Sequence, residues 1–405
     1  MPNRLTWFLM GAVLAVGLLA AIYRIPPIHD QLEWRFDMAE GIVRGWLRPG
    51  ESLPAPTGAG AHAVTLTPLP SPAATGTPMS ESTPVPTATA LPSAVRLPAP
   101  EWEKQDWNNC GPATLALGLR YWGWTGDQFE ISDLLKPDRG DKNVNVEELI
   151  YFVRTRAGWL QADYRVGGTL DTLRTFIAAG YPVIVEKGYI IEDGGGGWAA
   201  HYLLLTGYDD AQQVFIAQDT NRGPDQLVSY QALDDGWQDF NRVFLFLYPP
   251  EDQPVIDALL GPEADVDRNR EHALEAARAE IATDPQDAFA WANLGLNLVY
   301  FERYAEAADA YDAALSIGLP WRFTRYQFGA YIAYFHQGRF QDLLDLADAT
   351  LYRTSKAEES MLWRGWARYR LGQTAAAIED FRAALVINPH YLDAQYALEF
   401  VGSTP

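Results

Sequence analysis

Hydrophobic side chains follow four regimes along this chain. From Trp7 to Tyr23 the run WFLMGAVLAVGLLAAIY carries no charge and lies between Arg4 and Arg24. It is just long enough to cross a bilayer as a helix, and it predicts an N-terminal transmembrane anchor over residues 1–25. A cleaved signal peptide is the competing assignment, but no small-x-small site clearly follows, and Arg24, Ile25, Pro26 and Pro27 continue the chain. After a juxtamembrane stretch (26–50), residues 51–100 are built of Pro, Thr, Ser, Ala and Gly, with no Lys or Arg until Arg96. So few large apolar groups cannot offset the entropy of ordering, which predicts a disordered, extended tether.

From residue 101 to 250 the pattern changes to mixed periods. Val146 to Arg154 and Leu170 to Ala179 repeat at helical spacing, whereas Pro182–Glu186, Tyr202–Thr206 and Val214–Gln218 read as strands between Gly and Asp turns. This predicts one α+β unit with helices first and sheet later. Beyond about Val266 the chain becomes Ala-rich and helical throughout, giving an all-α region over 262–402.

A length of 405 residues fits two folded units plus accessories. The net charge of −21 and a pI near 4.6 argue against a nucleic-acid partner, because phosphate neutralisation needs clustered Lys and Arg. Flanking charge does not orient the anchor, since positive residues lie on both sides of it. Pro/Thr-rich stalks are commoner on exported proteins, and this places the bulk of the chain outside the cytoplasm.

The single cysteine excludes an internal disulfide and makes a poor metal site, so Cys110 is either a buried filler or chemistry. Asn109 or Cys110 caps a helix with Pro112 in its first turn. There the partial positive charge of the helix end favours the thiolate, the form that attacks a carbonyl carbon. A thiol nucleophile needs a base, and His201 is the only histidine between residues 101 and 250. A turn centred on Asp210 sets His201 directly opposite Asp219, close enough for a carboxylate to orient an imidazole, while a one-residue slip brings Thr220 there instead. The plainer readings are a strand-end histidine and a turn aspartate beside Asn221. Trp107, Trp122, Trp124 and Trp198 either line a peptide groove or fill the core, and Gly194–Gly197 is either a rim beside His201 or a surface turn.

Together, Gln105, the run Asn109-Cys110-Gly-Pro-Ala, the run Ala200-His201-Tyr-Leu-Leu-Leu-Thr-Gly-Tyr and the pair Gln218-Asp219 resemble the double-glycine leader-peptidase-like family of papain-fold cysteine peptidases. The resemblance implies Cys110 as nucleophile, His201 as general base, Asp219 as orienting group and Gln105 as oxyanion donor, acting on a peptide or protein substrate without metal or organic cofactor. Gln105 precedes Cys110 by five positions where six are expected. No transporter segments accompany the domain, so cleavage after Gly-Gly does not follow. A catalytically inactive peptide-binding scaffold and a transglutaminase-like acyl transfer to an amine are the other two readings of the same residues.

In the C-terminal region Pro285, Pro320 and Pro389 are spaced near one and two units of 34 residues, the tetratricopeptide period. Trp291, Leu294, Gly295, Ala307, Tyr311 and Ala314 make one copy, and Gly365, Ala377, Phe381, Ala384 and Pro389 another. A degenerate copy lies between them and a partial one ends near Pro285. Such repeats stack into a groove for a protein partner, or else simply pack against the peptidase-like domain. His272, His336 and His390 are too dispersed to be ligands.

Overall fold

The computed structural model describes residues 43, 52–56, 91–141, 143–191 and 197–404. The expected anchor lies outside them, as do the juxtamembrane segment apart from Val43 and glycines 194–196. Among the described residues no helix is long and apolar enough to cross a membrane.

Seven strands, β1 (Ala94–Arg96), β2 (Gln161–Arg165), β3 (Val183–Ile191), β4 (Gly197–Asp209), β5 (Val214–Asp219), β6 (Gly223–Ser229) and β7 (Phe244–Tyr248), form one antiparallel sheet. The order is β2-β7-β3-β4-β5-β6, with β1 pairing the end of β4 beyond the reach of β3. Alternation along the strands divides two cores. Ile184, Tyr202, Leu204, Leu245 and Leu247 pack with α1 (Cys110–Tyr121), α2 (Gln128–Leu135) and α3 (Val146–Arg156). Val183, Val185, Leu203, Leu205 and Phe246 pack with α4 (Leu170–Ala178), α5 (Tyr230–Gln238) and α6 (Gln253–Leu260). Capping boxes at Asn145/Glu148 and Thr169/Thr172 start α3 and α4 where the helical spacing begins.

Eight further helices follow as antiparallel neighbours: α7 (Val266–Thr283), α8 (Ala288–Tyr300), α9 (Tyr304–Ile317), α10 (Gly329–His336), α11 (Phe340–Arg353), α12 (Glu358–Arg370), α13 (Thr374–Ile387) and α14 (Leu392–Phe400). A Cβ on Gly295 would come within 2.7 Å of the Tyr311 ring, and Gly365 faces Phe381 in the same way. Glycine at these positions is therefore what lets paired helices approach.

The helical region does not stand apart from the sheet. The α1-side core continues through Trp198 and Phe240 into Ala273, Trp291, Tyr311, Phe323 and Leu346. Buried amides stitch the contact from end to end: Asn269 Nδ2 to Val166 O (2.8 Å), Asn241 Nδ2 to Asn297 Oδ1 (2.9 Å), Asn293 Nδ2 to Gln238 O (2.7 Å) and Asn388 Nδ2 to Leu135 O (2.9 Å).

One patch of this junction is acidic. Glu358 and Glu359 at the start of α12 are buried, and Glu148 of α3 faces them with Asp141, Arg325 and Tyr391 nearby. Burial first, then the neighbouring carboxylates, lifts all three glutamates, Glu359 to about 8. Carboxyls whose folded pKa exceeds the unfolded value of about 4.3 stabilise fully below that value and lose the contribution as pH rises through the folded one. Glu359→Gln is accordingly expected to leave the melting temperature near wild type at pH 5 and to exceed it by a few degrees at pH 8.5, read by calorimetry.

Both ends of the segment expected to be a disordered linker belong to the folded body. Leu53 is buried, its N–H donates to Leu319 O (2.9 Å), and Ser52 bridges Pro320. At the other end Val95 of β1 and Leu97 pack on the sheet, and Leu97 N–H donates to Thr206 O (2.8 Å). Single apolar residues in a Pro/Thr context find partners more than a hundred residues away, which local composition does not report.

Candidate active site

The strand order brings the N-terminus of α1 against β4. Gln128 shapes the approach to it. Its Oε1 accepts the Asp106 N–H (2.6 Å) and Asn109 Nδ2 (2.9 Å), while its Nε2 donates to Glu103 Oε2 (3.0 Å) and Lys104 O (2.8 Å). One buried amide thus uses its whole hydrogen-bonding capacity to hold residues 103–109. Asn108 turns the chain at φ 54°, and Cys110 is the first residue of α1. Asn109 precedes the helix without capping it: its Nδ2 is turned to Gln128, and its buried Oδ1 accepts no hydrogen bond from the described residues. The Gly111 N–H and the Tyr202 N–H are instead hydrogen-bonded to the Cys110 sulfur.

His201 lies on β4 opposite Lys187. Its Nε2 is 2.9 Å from Asp219 Oδ1, so Nδ1 is the nitrogen left for its hydrogen bond with Cys110. Asp219 Oδ1 also accepts the N–H groups of Asn221 (2.8 Å) and Arg222 (3.0 Å), and Trp102 Nε1 donates to the Asp219 carbonyl (3.0 Å). The carboxylate is thereby fixed from several sides.

The register differs from the expected one. The hairpin closes at Asp209↔Val214 around Ala211 and Gln212, because Asp209 Oδ1 accepts both of their N–H groups and Gln213 takes φ 56°. Continued straight, that pairing would set Asp219 beside Leu204, on the face away from His201. A bulge at Thr206 takes up one residue, and beyond it Leu205 pairs Ala217 and Leu204 pairs Gln218. Asp219 then aligns with Leu203, diagonal to His201 on the same face, within reach of it.

Burial works to raise the Cys110 thiol, but the His201 hydrogen bond, its charge and the two N–H groups outweigh that and bring it below its ordinary value. Burial works to lower His201, yet Asp219 and Cys110 hold it up at about 9. Burial also opposes ionisation of Asp219, and the imidazole and backbone donors still leave it lowered. The arrangement therefore stabilises the thiolate–imidazolium pair relative to a free thiol and imidazole, and carbonyl attack is the chemistry open to a thiolate. Behind it Tyr202 OH lies 2.9 Å from Glu186 Oε2. Burial above all, and also the nearby thiolate, pushes the Glu186 carboxyl well up, so it adds no second anion beside the sulfur.

Gln105 donates its N–H to Thr220 O (2.9 Å) and accepts the Thr220 hydroxyl on Oε1 (2.9 Å), leaving the amide NH2 as the end that can donate. It is thus tied to the residue following Asp219. Trp198 is buried at the junction with the helices, and Trp122 and Trp124 pack on the cores. Gln128 and Glu186 carried no signal in the sequence, the one standing behind an Asp127 cap and the other lying within β3 at the end of its apolar run. Among the described residues no cluster of His, Cys, Asp and Glu could hold a metal ion. His272 pairs with Glu263 and His336 stacks on Tyr304.

Residues 96–245 match the Peptidase_C39 like family. No curated protein matches the chain. Among solved structures, a candidate C39-like peptidase from Bacillus anthracis is 18% identical, with a TM-score of 0.32, over 38% of this chain and 97% of its own. MamA is 14% identical, with a TM-score of 0.30, over 33% of this chain and 77% of its own. YrrB, described as a TPR protein with an unusual peptide-binding site, is 17% identical, with a TM-score of 0.20, over 42% of this chain and 96% of its own.

Proposed function

We propose that this protein is a cysteine peptidase in which Cys110 attacks, His201 transfers protons, Asp219 orients the imidazole and Gln105 helps hold the oxyanion. The reading rests on one observation above others: a buried His201 hydrogen-bonded to Cys110 on one side and 2.9 Å from Asp219 on the other. The thiolate adds to the scissile carbonyl carbon, and the oxyanion is met by the Cys110 N–H and the Gln105 amide. As the C–N bond breaks, the imidazolium gives its proton to the leaving amine and a thioester remains. Water, deprotonated by the neutral imidazole, then attacks the thioester and the C–S bond breaks. No step requires a metal or organic cofactor.

In this proposal residues 7–23 anchor the chain in a membrane, with its bulk outside the cytoplasm, as their composition and that of the segment after them suggest. The helices are tetratricopeptide-like repeats that hold a substrate or protein partner next to the thiol.

The test is a complex peptide digest incubated with the full chain and with Cys110→Ala, followed by mass spectrometry of new termini. Cuts that depend on Cys110 are expected. New amide adducts in place of cuts would mark acyl transfer to amines. Peptide retention without either product would leave a binding scaffold.

A further inference from the structure

A cleft of about 320 Å³ lies where the sheet meets the helical region. Val146 of α3, Val243 just before β7, Leu296 of α8 and Ile332 of α10 line it, together with the rings of Phe240 and Phe328. Its volume and apolar lining are those of a site for a small organic molecule, and such sites favour the junction of two folded units.

The polar groups of this lining differ in how they are satisfied. Arg270 Nη2 donates to Tyr164 OH (3.0 Å), the Tyr164 hydroxyl donates to Glu147 Oε1 (2.8 Å), and the guanidinium lies over the rings of Tyr164 (5.7 Å) and Tyr300 (5.0 Å). That chain is closed on itself. Glu186 of β3 is not so served. It is 6% exposed and lines the cleft; its Oε2 accepts the Tyr202 hydroxyl (2.9 Å), and its other oxygen has no hydrogen-bond partner among the described residues. The charges that act on it are those of Cys110 and Glu147, both anionic. A second acceptor of the lining, Gln327 Oε1, is buried and also without a hydrogen-bond partner. A buried carboxyl needs a cation or keeps its proton, so this wall leaves acceptors unused and supplies no cation of its own to Glu186.

We propose that the cleft binds an amine carried on an apolar body, with the ammonium on Glu186 and the body against Val146, Leu296, Ile332 and the two phenylalanine rings. An ammonium brings donors and no acceptor, which matches the unused oxygens. Aromatic walls also favour a cation over a neutral molecule of the same shape. A carboxylate ligand would meet Glu186 and Glu147, like charges in a dry setting. The site lies behind the thiol: Tyr202 gives its hydroxyl to Glu186 and its backbone N–H to the Cys110 sulfur, and Cys110 does not line the cleft. The amine is thus bound as a ligand, not placed to accept an acyl group, and the proposal does not rest on the peptidase reading.

The test is calorimetric titration of the full-length protein at pH 7 with phenethylamine, 2-phenylethanol and 3-phenylpropanoate. The amine is expected to bind about tenfold more tightly than the alcohol, and Glu186→Gln to remove that preference while leaving the alcohol bound. Leu296→Trp, which fills the cleft from the helical side, should abolish binding of both. Equal affinity for amine and alcohol, tighter binding of the propanoate, or no binding at all overturns the proposal. So does an amine preference that survives Glu186→Gln in a protein that melts like wild type. If Glu186→Gln does not fold, Leu296→Trp decides, because amine binding retained there lies outside the cleft. Cys110→Ala should bind the amine as wild type does, so this proposal and the peptidase reading fail separately.

Discussion

Replacing His201 with alanine is expected to slow alkylation of Cys110 at pH 6 by about a hundredfold or more. An ordinary thiol of pKa about 8.5 is only about 0.3% ionised at that pH. The paired thiol is lowered by its hydrogen bond and Coulombic attraction to His201, while burial alone would raise it. Removing the imidazole leaves burial opposed only by the two backbone donors, so the thiolate retreats to alkaline pH. In the wild-type protein the rate with an iodoacetamide probe should rise to its plateau at a lower pH than in His201→Ala. Above about pH 9 His201 loses its proton and the ion pair with it. Asp219→Asn should fall between, because the hydrogen bond to Nε2 can survive while the charge is lost. A Cys110 that reacts identically in all three proteins would sink the assignment of a Cys–His pair.

The second large effect concerns Trp198. This residue lies on β4, the strand of His201, yet its ring meets Phe289 at 5.3 Å, Tyr326 at 5.7 Å and Phe323 at 6.5 Å from the helical region, and stacks on Phe240 at 5.6 Å. Its Nε1 donates to Asp239 Oδ2 (2.6 Å), a carboxyl that burial raises to about 7. Trp198→Ala is expected to cost about 3–5 kcal/mol from the lost ring, and it also strands the Asp239 carboxyl without its donor. Calorimetry should show a midpoint lower by on the order of 10 °C, and limited proteolysis should open the connection between β7 and α7. Trp198→Phe keeps the ring contacts and should lose only about 1–2 kcal/mol. A Trp198→Ala protein that melts like wild type would mean that the two regions are not held by this cluster.

Much of this was legible because it is local. Cys110 opens a helix because Pro112 suits a first turn, and α3 and α4 begin where Asn145 and Thr169 can cap them. The apolar runs of β3, β4 and β5 identify themselves as strands, although each extends beyond its most apolar residues. The alignment of His201 with Asp219 was not readable in detail. It depends on the side chain of Asp209 and on the unpaired Thr206, neither of which departs from an ordinary strand or turn composition. Two errors of position, one in the turn and one in the bulge, preserve the face, and so the pairing of the two residues survives them. The fusion of the two regions was hidden for a different reason. Glu358 and Glu359 look like a solvated helix start, and Asn241, Asn293 and Asn297 look like surface amides, until a partner from a distant part of the chain covers them.

The docking of Leu53 changes how a pull on the chain would be transmitted. Force arriving from the N-terminus meets the body first at the Ser52–Pro320 bridge, between α9 and α10, and not at the sheet. While that bridge holds, the load passes from Ser52 to Pro320 and does not reach β1. Once it opens, the load reaches β1 instead, where Ala94–Arg96 pair with β4. The separation between the first docked residue and the sheet that carries His201 is then set by whether one buried leucine is in its seat.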